Sequence, residues 1–105
     1  LAIADVTIMP LGAGTTSVSD VVAEVHRLLK SSKLTINYQL TPMSTILEGE
    51  VDDLYEILKQ IQEVPFNLGH KRVAMNIRID DRRDKVSSMK SKVAVVNKKL
   101  IDGTD

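Results

Sequence analysis

Three groups of polar residues have the types and spacing to do chemistry. The first lies in alternating segments, where Asp5 and Thr7, Asn37 and Gln39, Glu48, and Asn76 and Arg78 stand between apolar neighbours. Alternation of that kind turns the polar members to one side of a pleated strand. If Asp5 has Glu48 on one flank and Asn76 or Arg78 on the other, donors, acceptors and both charge signs converge on one face. The second group is the corner Thr41-Pro42-Met43-Ser44-Thr45, three hydroxyls beside a thioether. A thioether suits adaptable contact with a flat ring. Hydroxyls that merely satisfy the backbone of their own hairpin explain this corner about as well. The third is Leu11-Gly12-Ala13-Gly14-Thr15-Thr16-Ser17, placed where a helix N-terminus would favour an anion. It is neither G-x-G-x-x-G nor a lysine-bearing P-loop, so a capped, flexible connection is the better reading.

Much chemistry is excluded by composition. The 105 residues contain no cysteine, hence no disulfide, thiolate nucleophile or thiolate metal site. His26 and His70 have no ligand-type partner three or four residues away, which predicts ordinary surface histidines and no metal site. No triad spacing and no HExxH motif is present. Asp5 and Glu48 could do acid–base work only if burial split their pKa values. The expectation is therefore a protein that is not an enzyme and needs no catalytic cofactor. The run Asp80-Asp81-Arg82-Arg83-Asp84-Lys85 lacks the EF-hand pattern and reads as a solvated turn. Fourteen basic residues balance fourteen acidic ones, so no global field favours nucleic acid or an anionic membrane. No apolar run approaches the roughly 20 residues of a membrane span. The segment Leu1-Ala2-Ile3-Ala4-Asp5 lacks a charged signal-peptide n-region, so a cytoplasmic location is expected.

The elements that must position these residues follow from periodicity. Residues 2–9 alternate and stop at Pro10, predicting a first strand. A helix follows, with Ser17 or Ser19 as its cap and Val18, Val21, Val22, Val25, Leu28 and Leu29 as its apolar stripe. Residues 34–41 give a second strand and 45–48 a short third, ended by Gly49. Val51, Leu54, Ile57, Leu58 and Ile61 mark a second helix, running to about Glu63 before Pro65. Residues 72–79 give a fourth strand, and Val86, Met89, Val93, Val96 and Leu100 mark a last helix. The order βαββαβ plus a C-terminal helix predicts one α+β domain over 1–105, ferredoxin-like, with an antiparallel sheet in the order 4-1-3-2. Two helices then cover Val6, Ile8, Ile36, Tyr38, Leu47, Met75 and Ile77. The opposite face receives Asp5, Thr7, Asn37, Gln39, Thr41, Glu48, Asn76 and Arg78. A solvated face or an oligomer interface explains that face somewhat better than a ligand site does. It carries no aromatic residue, which argues against an RNA-stacking platform.

Several stretches resemble a known family. Thr7-Ile8-Met9-Pro10-Leu11-Gly12 with Thr15-Thr16-Ser17, and Tyr38-Gln39-Leu40-Thr41-Pro42-Met43-Ser44-Thr45 with Glu48-Gly49-Glu50, are similar to segments of small thiamine-binding proteins of bacteria, archaea and yeast. So is Arg72-Val73 followed by Ile77-Arg78-Ile79-Asp80-Asp81-Arg82-Arg83-Asp84. The family's hairpin usually reads Met-Gly-Thr, where this chain has Ser44. The resemblance implies a ferredoxin-like fold, assembly as a dimer or tetramer, and non-catalytic binding of thiamine or its hydroxymethylpyrimidine half, as a carrier or regulator. The rival expectation is an allosteric sensing domain for another small metabolite. The residues expected at the ligand, from the sheet-face and hairpin arguments, are Asp5, Thr7, Asn37, Thr41, Met43, Thr45, Glu48 and Asn76. An aminopyrimidine offers a donor amine and acceptor ring nitrogens that such side chains can meet.

Overall fold

The computed structural model describes residues 1–12, 18–84 and 89–102. Its elements are β1 (Ala2–Pro10), α1 (Ser19–Ser31), β2 (Ile36–Leu40), β3 (Thr45–Gly49), α2 (Val51–Asn67), β4 (Val73–Asp80) and α3 (Met89–Asp102). The strands form one antiparallel sheet in the order β2-β3-β1-β4. This is the ferredoxin-like α+β arrangement, and the predicted strand order is the observed one read from the other edge.

Register assigns the faces. Ala4 pairs with Leu47 and Ile79, Val6 with Thr45 and Ile77, and Tyr38 with Leu47. These residues share the side on which α1 and α2 lie. The core there joins Ala2, Ala4, Val6 and Leu47 to Val21, Val25 and Leu29 of α1 and to Leu54, Ile57, Leu58, Ile61 and Val64 of α2. Each helix contributes one stripe at helical spacing, as an amphipathic element packed on a sheet must. The opposite face carries Asp5, Thr7, Asn37, Gln39, Glu48, Asn76 and Arg78, as alternation predicts.

Three boundaries differ from expectation. Strand β2 starts at Ile36 rather than Leu34, because Ile36 N donates to Leu34 O at 3.0 Å in a local turn instead of joining a ladder. At the start of α1, Val18 holds the cap position without a side-chain hydrogen bond and Ser19 is already helical; Ser17 lies outside the described residues. Helix α2 runs past Glu63 to Asn67, with Pro65 inside its last turn. Proline removes one N–H and crowds the carbonyl four residues back. Near a helix end that loss is small, and the Pro65 ring is buried in the core. Its carbonyl accepts from Leu68 N at 3.1 Å and His70 N at 3.0 Å, closing the helix.

Helix α3 follows the charged turn and stands apart from the layered body. Val93, Val96 and Leu100 are 59%, 57% and 76% exposed. The radius of gyration is 15.9 Å, against about 13 Å for a compact chain of this length. A Lys92–Asp80 ion pair ties α3 to the end of β4.

Candidate functional site

The polar residues expected to form one site are divided by the sheet. Thr7 stands opposite Asn76, and Arg78 Nη2 donates to Asp5 Oδ2 at 2.6 Å. Asn37 Nδ2 donates to Glu48 Oε1 at 3.0 Å, and Glu48 is buried. Directly across β3, Asp5 meets Ile46, while Glu48 stands opposite Ile3. The two carboxylates are thus diagonal neighbours, each with its own hydrogen-bonding partner. Neither of the two cavities described below is lined by Asp5, Asn37, Glu48 or Asn76. Asp5, Asn37, Glu48 and Asn76 share the polar face of the sheet.

Thr41, Met43 and Thr45 belong to the other side. Thr41 was expected to continue the alternation of β2 onto the polar face. Instead the chain leaves the sheet after Leu40, and Thr41 organises the hairpin. Its hydroxyl donates to Ser44 O at 2.8 Å and accepts from Ser44 N at 3.0 Å and Met43 N at 3.3 Å. Thr45 pairs with Val6 and faces the helices, buried. The hairpin thus overhangs the gap between the end of β1 and the N-terminal half of α1.

That gap is a cavity of about 350 Å³. Val6, Ile8, Val22, Val25 and Ile61 form its apolar walls, and Thr41, Ser44 and Thr45 line one side. Met9, Leu40 and Met43, exposed by 53%, 56% and 85%, surround its mouth. Thr7 also lines it, at the end of β1. Among the described residues none that lines it is charged. An apolar cavity with a few convergent polar atoms is the usual form of a small-molecule site.

Behind the hydroxyl wall stands His26. Its Nε2 lies 3.2 Å from Thr45 Oγ1, and its ring meets Tyr38 edge-on, with centroids 5.7 Å apart and planes at 65°. The expectation of an ordinary surface histidine is therefore corrected: His26 is half-buried between α1 and the sheet. The sequence held one signal for it. His26 follows Val22 by four positions and so lies on the flank of the apolar stripe.

A second cavity, about 560 Å³, lies at the other end of β1 between Leu1, Glu50, Val51, Asp52, Asp81, Arg82 and Arg83. Its two arginines are paired with neighbouring carboxylates. Arg82 binds Asp84 through two hydrogen bonds at 2.6 and 3.0 Å, and Arg83 Nη2 donates to Asp81 at 2.8 Å. The Arg83 guanidinium holds the Asp81 carboxyl below the usual carboxylate value. Among the described residues no cluster of three or more acidic or histidine side chains could hold a metal ion. None of the described helices is long and apolar enough to cross a membrane. The loop residues 13–17, considered above for anions, lie outside the described residues.

Comparison with known proteins places this geometry. The family profile described as thiamine-binding protein matches residues 4–97. The chain belongs to that family. It is 53% identical over 102 residues to the UPF0045 protein YqgV of Bacillus subtilis, covering 95% of this chain and 98% of the relative. It is 39% identical over 98 residues to a UPF0045 protein of Methanothermobacter thermautotrophicus, covering 92% and 97%. Among solved structures it resembles the hypothetical protein MJ1052 of Methanocaldococcus jannaschii, with a TM-score of 0.80 and 30% identity over 91% of this chain and 95% of the other. A candidate thiamine biosynthesis/salvage protein of Thermotoga maritima matches with a TM-score of 0.72 over 90% and 97% of the two chains. At 17% identity that likeness shows the fold alone.

Proposed function

We propose that this member of the thiamine-binding family is a non-catalytic binding protein that takes thiamine by its neutral pyrimidine half, in the cavity beneath the 41–45 hairpin. The observation that carries this reading is the lining by the described residues: apolar walls, hydroxyls on one side and no charged side chain among them. A methylated aminopyrimidine matches it, with an apolar ring to bury and hydrogen-bonding atoms at its edge. The permanently charged thiazolium, costly to bury without a counter-charge, stays at the exposed mouth. A zwitterionic metabolite such as an amino acid fits poorly for the same reason, which weighs against a sensing domain for that class. Among the described residues no acidic or basic side chain lines the cavity, and the reading is binding without turnover, as a carrier or regulator. A cytoplasmic setting belongs to this reading and agrees with the cysteine-free composition.

The reading includes self-association, as a dimer or tetramer. The apolar stripe of α3 and the open sheet face, with Ile3 and Ile46 among its polar residues, are two surfaces that a second copy can bury.

The test is calorimetric titration of thiamine and of 4-amino-5-hydroxymethyl-2-methylpyrimidine into the wild type and into Val22→Phe, which fills the cavity from α1. Binding in the wild type with at least about a tenfold loss in Val22→Phe supports the pocket. Absence of any heat at millimolar ligand overturns the proposal. Equal affinity in the two proteins moves the site elsewhere.

A further inference from the structure

We infer that His26, which does not line the cavity, determines what the cavity reads: it takes up the hydroxyl proton of Thr45 so that Thr45 turns only lone pairs toward a bound ring and selects an amine over a carbonyl. The inference rests on the pocket reading above and adds a source of specificity to it.

The argument is one of hydrogen-bonding capacity. A threonine hydroxyl has one proton to donate and two lone pairs to accept with. Among the described residues the side chains lining the cavity include no carboxylate and no amide, so there an amine on the ligand is met by a hydroxyl oxygen. Thr41 is already committed, since its oxygen accepts two backbone N–H groups and its proton goes to Ser44 O. Ser44 Oγ makes a long contact, 3.5 Å, with the same Thr41 oxygen. Thr45 is the buried hydroxyl of the wall, and its partner at 3.2 Å is His26 Nε2. A hydroxyl whose proton is given to an imidazole nitrogen can only accept from a third group. Edge-on contact with Tyr38 holds the imidazole beside Thr45, and the tautomer with its proton on Nδ1 leaves Nε2 to accept the Thr45 hydroxyl proton. His26 is thus a positioning residue acting through Thr45.

The experiment compares two ligands, the aminopyrimidine named above and its counterpart with a carbonyl in place of the amine. The wild type is expected to prefer the amine by at least about tenfold, since the wrong ligand leaves a polar group facing an acceptor without a proton. His26→Phe keeps a ring beside Tyr38 but offers no acceptor, and should bring the ratio to within about threefold. Thr45→Val should do the same, and the double variant should change the ratio no further, since both act on one interaction. His26→Gln, whose amide oxygen can accept the proton, should restore the preference. A merely structural role for His26 would weaken both ligands together and leave their ratio intact. An unchanged ratio in His26→Phe, or additive losses in the double variant, overturns the inference while leaving the pocket standing. A wild type that binds thiamine without preferring the amine does the same. A wild type that binds neither pyrimidine nor thiamine overturns both readings.

Discussion

Asp5 and Arg78 face each other across the β1–β4 ladder, with Arg78 Nη2 2.6 Å from Asp5 Oδ2, on the side of the sheet turned away from α1 and α2. A carboxylate in the middle of a central strand is unfavourable by β propensity alone. The cross-strand pair supplies its reason without a ligand. The Arg78 side chain is 85% exposed, so the pair is screened by solvent. Asp5→Asn is therefore expected to cost less than about 1 kcal/mol of stability in urea denaturation. It should leave thiamine affinity within about threefold by calorimetry. A tenfold loss of affinity would place the ligand on the polar face.

Gly49 is held by close approach. A Cβ at this position would lie 2.7 Å from Ile36 Cδ1 and 3.0 Å from Thr35 O. The first neighbour is a side-chain end that can shift, but the second is backbone. Gly49→Ala is expected to destabilise the fold by about 1–3 kcal/mol through overpacking at the β2–β3 pairing. Chemical denaturation with an unchanged midpoint would refute this.

Leu47 lies at the centre of the core, with no exposed surface, under both helices. Leu47→Ala should cost about 2–5 kcal/mol from lost burial and the cavity left behind. In a domain of this size that approaches the whole folding free energy. The expected readout is a lowered melting temperature or loss of soluble folded protein; a shift of only a degree or two would mean that the core collapses to fill the space.

Self-association should depend on α3. Light scattering on a sizing column is expected to give a mass of two or four chains for the wild type at micromolar concentration. Val96→Glu puts a charge into the exposed apolar stripe and should lower that mass. A wild type that elutes with the mass of one chain removes the oligomer from the proposal.

The polar sheet face is not expected to bind RNA. Tyr38 points to the helix side, while Tyr55 and Phe66 sit on α2, which leaves the strands no ring on which to stack a base. Filter binding at physiological salt should show no sub-micromolar, sequence-dependent retention.

The sequence by itself determined which side of the sheet each strand residue occupies. Alternation carries that information directly, so Val6 against Asp5 and Leu47 against Glu48 were legible without coordinates. The βαββαβ order, with the family resemblance of the Pro-Met-Ser-Thr hairpin, likewise sufficed for topology. Only the tertiary structure shows the cavity beneath the 41–45 hairpin. Periodicity describes a side chain relative to its own strand and is lost where the strand stops. Thr41, one residue past β2, therefore looked like a member of the polar face, although the turn folds its hydroxyl back into the hairpin. Whether Asp5 and Thr45 share a site was equally illegible, because their separation is set by two sides of one sheet rather than by spacing along the chain. The same holds for His26 and Thr45, 19 positions apart and joined by a single contact at 3.2 Å. Such a meeting depends on how α1 settles onto β2 and β3, a rigid-body relation that packing fixes and that no single element encodes.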